Sequence, residues 1–215
     1  VISNYAKGRT PPGVNTWQFN FRFDKNRDKL AKDSIDLLVN SGLNFDRMAS
    51  ADGIDATDFA ELLTTSGLVL NESTRWISFD GCYDFGYLLK ILTDECLPST
   101  LQEFTELLSI FFPVVYDIKL VLNCIKGYAG SLQDESLQLD VRRYGAPHQA
   151  GSDSLLTGNT FFRLLDYYKV RPEDTYQYSG HLYRLSPHSS DHNRISPDST
   201  DSCDSTSITN GNDYY

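Results

Sequence analysis

Long apolar runs and phosphate-binding glycine motifs are both missing from this 215-residue sequence. The most apolar stretch, 107–115, is interrupted by Ser109 and Pro113. It is also far shorter than the roughly 20 residues that a bilayer-spanning helix needs. No Gly-x-Gly-x-x-Gly follows a strand-like segment, and Gly-x-x-x-x-Gly-Lys-Ser/Thr does not occur. We therefore do not expect a membrane span, and dinucleotide-binding and P-loop functions have no support.

Positive charge is scarce as well. The chain has 19 Lys and Arg residues against 29 Asp and Glu, a formal net charge of −10. This argues against a broad basic face for nucleic acid, because such a face relies on many Lys and Arg side chains at phosphates. A nuclease that binds divalent cations through carboxylates is also acidic, since its metal ions meet the scissile phosphate. The charge therefore does not exclude a nucleic-acid substrate.

The clearest strand pattern covers residues 16–23, where polar and apolar residues alternate strictly. Trp17, Phe19, Phe21 and Phe23 share one face of such a strand. The pattern predicts a half-buried strand in an antiparallel pair. An aromatic platform for base stacking would need the same spacing, although we favour core packing.

Strand and helix patterns alternate over the rest of the chain. We expect strands at 76–79 and 114–118, and helices at 28–41, 55–66, 83–95, 100–111, 120–124, 134–140 and 151–169, with Asp55 and Ser99 as N-caps. The alternation predicts an α/β sandwich. Beyond residue 186, Ser, Thr, Asp and Asn dominate. We therefore divide the chain into a domain at 1–185 and a disordered acidic tail at 186–215.

Two aspartates stand where a strand or loop leads into a helix. Asp84 lies in Tyr-Asp-Phe-Gly and Asp153 in His-Gln-Ala-Gly-Ser-Asp. Taken singly, each aspartate is also a good helix N-cap. Together they could supply half of the carboxylates that hold two divalent ions for phosphodiester hydrolysis. His148, five residues before Asp153, could take the proton of the attacking water, although an isolated loop histidine often has no catalytic role.

Three blocks carry a specific resemblance. The chain contains TPPGVNTWQFNF at 10–21, YDFGYLLK at 83–90 and HQAGSDSLLTG at 148–158. These blocks, in this order, resemble the CCR-associated factor (Caf/Pop) deadenylases, and the similarity extends over about 10–185. The resemblance implies an α/β, RNase H-like fold of the DEDD exonuclease type, with a mixed sheet flanked by helices.

The resemblance also implies an activity and its residues. Family members shorten the poly(A) tails of messenger RNA from the 3′ end as part of the CCR-NOT complex, using Mg²⁺ or Mn²⁺ in a two-metal site. By this carry-over, Asp84 and Asp153 each bind a metal ion and His148 is the general base. The implied partners are poly(A) RNA, the Not scaffold subunit, a second deadenylase subunit and Tob/BTG-type proteins. We accordingly expect the protein in the nucleus and the cytoplasm.

One departure concerns the first family motif, an Asp-x-Glu followed by Phe-Pro-Gly. No Asp-x-Glu in this sequence stands in that context. We therefore expect the domain to be truncated at its N-terminus, without its first strand and helix, and the alternative function is a catalytically inactive interaction module. Asp80-Gly81-Cys82 also differs from the family's His-Ser-Gly, so Asp80 could add metal affinity or simply face solvent.

Overall fold

The computed structural model describes residues 15–50 and 52–186. Its elements, in chain order, are α1 (Lys32–Asn40), α2 (Phe45–Met48), α3 (Ala56–Thr65), β1 (Trp76–Ser78), α4 (Cys82–Thr93), α5 (Leu101–Phe111), β2 (Val115–Asp117), α6 (Ile118–Lys126), α7 (Leu132–Gln138), α8 (Ala150–Tyr167), a first 3₁₀ helix (Pro172–Tyr178) and a second 3₁₀ helix (Tyr183–Leu185). Apart from Ser186, the predicted acidic tail lies outside the described residues. So does the start of the block at 10–21.

The sheet in the described part of the chain has two strands, β1 and β2, which pair in parallel. Trp76 pairs with Val115 and Ser78 pairs with Asp117. Helices α4 and α5 form the crossover between the strands, as parallel pairing requires. All three residues of β2 are buried, which is typical of a parallel strand covered on both faces. The predicted α/β class is confirmed, with a smaller sheet than the mixed one we expected.

The segment 16–23 is not a strand, so the predicted antiparallel pair is wrong. Its only sheet-like contact within the described residues is an isolated parallel bridge between Phe21 and Ile54. The Arg22 N–H donates to the Ile54 carbonyl at 2.8 Å, and the Ile54 N–H donates to the Asn20 carbonyl at 2.9 Å. Hydrogen bonds with a loop residue therefore pair the backbone groups of this segment where pairing with a strand was expected.

Helices cover part of the aromatic face of the same segment. The Phe21 ring packs edge-on against Phe59 of α3 at 5.0 Å, and the Phe23 ring lies 5.4 Å from Phe45 of α2. Phe23 is buried, whereas Trp17 is 46% exposed. The alternation thus predicted which face is apolar but not what packs against it.

Helix ends follow local capping. As predicted, the Asp55 side chain accepts a hydrogen bond from the Thr57 N–H at 2.9 Å and caps α3. The prediction of Ser99 as the cap of α5 is wrong by one residue. Thr100 caps this helix, because its hydroxyl oxygen accepts a hydrogen bond from the Glu103 backbone N–H across the first turn.

The buried side chains form two clusters. One is built from α3, α4, α5 and the residues near the second 3₁₀ helix, and it includes Leu89, Leu108 and Phe112. The other is built from β2, α6 and α8, and it includes Tyr116 and Leu164. The strands link the two clusters, which places the ends of β1 and β2 against a rigid core. Over the described ranges, no helix is long and apolar enough to cross a membrane.

Candidate active site

The carboxyl ends of the two strands present a group of acids. Ser78 ends β1 beside Asp117, which ends β2. The turn after β1 contains Asp80 and leads directly into α4, whose third residue is Asp84. Ligands of open α/β sheets bind outside the carboxyl ends of the strands. Asp84 is therefore placed where the fold class positions functional groups.

Asp117 holds this end of the sheet together. The side chain has no solvent exposure, and its oxygens accept four backbone hydrogen bonds. Oδ1 accepts from the N–H groups of Asp80 at 2.8 Å and Lys119 at 3.1 Å. Oδ2 accepts from those of Gly81 and Tyr183, both at 3.1 Å. One carboxylate thus joins the turn before α4, the first turn of α6 and the second 3₁₀ helix.

Asp80 neither faces solvent nor offers a free carboxylate to a metal. The Arg184 guanidinium donates to both of its oxygens, at 2.9 and 3.0 Å, and the Lys119 ammonium donates to Oδ2 at 3.0 Å. Only 16% of the Asp80 side chain is exposed. The residue is an ion-paired anchor for the turn, so the expectation that it simply faces solvent is wrong, and a contribution to metal affinity stays a prediction.

Asp84 is not a helix cap. Gly81 occupies the N-cap position of α4, and Asp84 lies within the first turn, where a negative charge suits the helix dipole. Its side chain is exposed. Desolvation by the surrounding protein raises the pKa of the carboxyl, its own backbone N–H lowers it, and the charges of Asp117 and Asp80 raise it. The capping explanation therefore fails for Asp84, which leaves an accessible carboxylate in the acid group.

Asp153 does not cap its helix either. Gln149 is the N-cap of α8, and Asp153 follows in the first turn. One Asp153 oxygen, Oδ1, accepts a short hydrogen bond from Nη1 of Arg143. The same guanidinium donates to Gln133 Oε1 at 2.7 Å and to Ser152 Oγ at 3.1 Å, so it is fixed from three sides. This arrangement orients Asp153 through Oδ1 and leaves Oδ2 outside the pair.

His148 lies in the loop just before α8 and is exposed. Its backbone is left-handed, with φ of 62°, a conformation that few residues other than glycine adopt. The next residue anchors the loop, because Gln149 Nε2 donates to the Ser41 carbonyl at 2.6 Å. Gln18 Oε1 accepts from the Gly151 N–H at 2.8 Å. The segment at 15–20 thus helps to hold the histidine loop.

The three predicted site residues occupy the predicted elements, but the structure does not join them into one cluster. Within 15–50 and 52–186, no three His, Cys, Asp or Glu side chains converge closely enough to hold a metal ion. Asp84 has Asp80 and Asp117 as its charged neighbours, and Asp153 has Arg143. The roles of Asp84, His148 and Asp153 stay predictions.

Sequence reasoning missed Asp117, Arg143 and Arg184. Asp117 had a readable signal, because an acid ends a strand that is otherwise apolar and precedes a helix. Arg143 and Arg184 had none, since their partners are 10 and 104 positions away. Only the folded chain brings these charges together.

Solved structures define the class of the protein. The chain resembles the Mg²⁺- and Mn²⁺-bound form of Pop2p from Schizosaccharomyces pombe, with a TM-score of 0.78 and 43% identity over 82% of this chain and 69% of that one. It also resembles CAF1 co-crystallised with the yeast NOT1 MIF4G domain, with a TM-score of 0.69 and 30% identity over 83% and 70% of the two chains. Fold and site together define an RNase H-like ribonuclease domain.

A model of the "CAF1 family ribonuclease" matches residues 54–161. Probable CCR4-associated factor 1 homolog 7 of Arabidopsis thaliana is 49% identical over 170 residues, which are 79% of this chain and 61% of that protein. Poly(A) ribonuclease pop2 of S. pombe is 45% identical over 162 residues, which are 75% of this chain and 48% of that protein. The chain therefore belongs to the CAF1 family of ribonucleases, and it spans about half to three fifths of the length of these relatives.

Proposed function

We propose that the protein is a poly(A)-specific 3′-to-5′ exoribonuclease that shortens messenger RNA tails as a subunit of the CCR-NOT complex. One observation carries the proposal: in a CAF1-family chain, an exposed carboxylate, Asp84, stands at the carboxyl ends of the parallel strands. The 45% identity to a poly(A) ribonuclease supports the choice of substrate.

Asp84 and Asp153 would bind Mg²⁺ or Mn²⁺. Carboxylate oxygens suit both ions, and S. pombe Pop2p has been obtained with both bound. Two such ions would activate the attacking water and stabilise the leaving oxygen. Asp84 fits because it is exposed and caps no helix, and Asp153 fits because Arg143 engages Oδ1 only.

His148 would act as the general base. An exposed imidazole in a loop that is anchored by the residues just after it can reach a substrate while keeping its position. The left-handed backbone at His148 aims the side chain differently from that of the helical residues after it.

The proposed partners are poly(A) RNA, the Not scaffold subunit, a second deadenylase subunit and Tob/BTG-type proteins. The likeness to CAF1 co-crystallised with a NOT1 domain supports the scaffold. A subunit of this complex would be found in the nucleus and the cytoplasm. The second candidate function is a catalytically inactive interaction module, which is favoured by one observation: this sequence contains no Asp-x-Glu before Phe-Pro-Gly.

A deadenylation assay tests the proposal. The purified chain is incubated with Mg²⁺ and a 5′-labelled RNA that ends in adenosines, beside Asp84→Ala and His148→Ala. We expect stepwise 3′ shortening, a loss of about 100-fold or more in rate for His148→Ala, and no shortening in EDTA. Residues of the same types outside the proposed site provide controls, namely Asp174→Ala at a partly exposed position and His181→Ala at an exposed one, and both should keep the wild-type rate.

A second arm separates the two candidate functions. The same preparations are tested for binding to the Not scaffold's MIF4G domain. A folded chain that binds this domain without shortening RNA would support the interaction module. A chain that shortens RNA as fast with the Asp84 and His148 substitutions as without them would contradict the proposed site.

A further inference from the structure

Charges from three parts of the chain fix the turn before α4. Arg184 donates to both oxygens of Asp80, and Lys119 donates to one of them. The exposed fractions of the side chains are 16% for Asp80, 12% for Lys119 and 29% for Arg184. A bidentate guanidinium–carboxylate pair that is partly buried fixes the orientation of the two side chains and is stronger than a neutral hydrogen bond.

Arg184 is itself held rigidly. Its neighbour Tyr183 is 1% exposed, and Leu182 is 2% exposed. The Tyr183 N–H donates to Asp117 Oδ2, the same oxygen that accepts from the Gly81 N–H. The second 3₁₀ helix is therefore tied to the turn before α4 twice, through a side-chain pair and through a shared buried carboxylate.

The turn has little freedom to find another conformation that keeps α4 in place. Asp80 has a left-handed backbone, with φ of 58°. A Cβ on Gly81 would lie 2.5 Å from the Ser78 side chain, so the chain passes close to the end of β1. No side chain caps α4. The position of its first turn thus depends on the contacts of Asp80 and Asp117.

We infer that Arg184 is a positioning residue for Asp84. By holding Asp80, it fixes the first turn of α4 and hence the direction in which the Asp84 carboxylate meets a divalent ion. The inference rests on the proposed metal-binding role of Asp84. It also extends the site beyond 54–161, the range matched by the family model.

A metal-ligand role for Asp80 makes the opposite prediction. If Asp80 bound the ion, Arg184 would compete with the metal, and removing the guanidinium would tighten metal binding. If Arg184 positions Asp84, its removal weakens metal binding. The sign of the change therefore separates the two roles.

The test measures Mn²⁺ affinity of the purified 215-residue chain by electron paramagnetic resonance, without RNA. The variants are Arg184→Gln, Arg184→Lys and Asp84→Asn. We expect affinity to fall about tenfold for Arg184→Gln, as when a group that orients a metal ligand is removed. The Mn²⁺ affinity of Arg184→Lys should lie between those of wild type and Arg184→Gln, because an ammonium keeps the charge but cannot form the bidentate pair. Arg171→Gln is the matched control, since it breaks an exposed Arg–Asp pair and should leave the affinity unchanged.

Hydrogen exchange gives a readout that needs no metal. In Arg184→Gln, amides 80–86 should exchange faster than in wild type, while those of α8 and of the Arg171→Gln control should not change. Each affinity is measured well below the variant's melting temperature, so loss of fold is not mistaken for loss of position.

The outcomes distinguish the inference from the function on which it rests. If Asp84→Asn abolishes Mn²⁺ binding but Arg184→Gln binds as tightly as wild type, or more tightly, only the inference is wrong. If the wild-type chain binds no Mn²⁺, or Asp84→Asn binds it equally well, both the metal role of Asp84 and the inference are wrong.

Discussion

Replacing Asp117 by asparagine tests whether one buried carboxylate organises the site. An amide has one oxygen, so whichever way it is oriented it accepts from two of the four backbone N–H groups and turns its own donors toward the other two. Hydrogen bonds to a charged group contribute about 1.5–3 kcal/mol each, so the two lost bonds amount to roughly 3–6 kcal/mol. Removing a desolvated charge offsets part of that loss. We expect Asp117→Asn to lower the free energy of unfolding by about 3 kcal/mol.

Urea denaturation at neutral pH measures the change, followed by tryptophan fluorescence and circular dichroism. Trp76 is a suitable probe because its ring packs edge-on against Phe112 at 5.0 Å, next to β2. Asp55→Asn is the control, since Asp55 caps α3 through a single backbone N–H and asparagine is an equally good cap. If Asp117→Asn were within about 1 kcal/mol of wild type, the four bonds would not be what holds these segments together.

Two further predictions concern buried charges. Burial raises the pKa of Asp117 above its ordinary value near 3.8, and its backbone donors lower it. The folded state thus binds the proton more tightly than the unfolded chain. The stability that this carboxyl contributes is fully present below pH 3.8 and is lost as pH rises through the folded-state pKa. Urea titrations at rising pH above about 4 should therefore show wild type losing stability relative to Asp117→Asn. Lys126→Met should cost about 3 kcal/mol in the same assay, because Glu135, with no exposure, loses its ammonium partner at 2.7 Å. Lys126→Met with Glu135→Met should recover most of that loss, and no recovery would contradict the argument.

Local sequence patterns predicted the helices but not the conformation of the segment 16–23. Helices α3, α4 and α8 follow apolar periodicity, and α3 also begins at a capping residue that can be read from the sequence, Asp55. The segment 16–23 alternates as a strand does, yet its backbone pairs only once, because helices α2 and α3 supply its aromatic contacts. Strand formation depends on a distant partner, which no local pattern contains.

The candidate site was also predictable from the sequence only in part. Asp84, His148 and Asp153 stand in motifs that can be read along the chain, and their elements were correctly placed. The groups that hold them were not readable, since Arg143 and Arg184 are ordinary arginines until the chain folds. The ion pairs of Asp80 could not be read from the sequence for the same reason. Its ion pairs depend on residues 39 and 104 positions away.

The Asp80–Arg184 pair has a consequence for synthesis on the ribosome. Its partners are 104 positions apart, so the chain must be made almost to the end of the described residues before Asp80 meets its guanidinium. Contacts between distant positions form late, since a long loop must close first. On the ribosome, the start of α4 is therefore completed only after residue 184 has been made. The nascent chain carries Asp84 well before it can hold that carboxylate in a fixed direction.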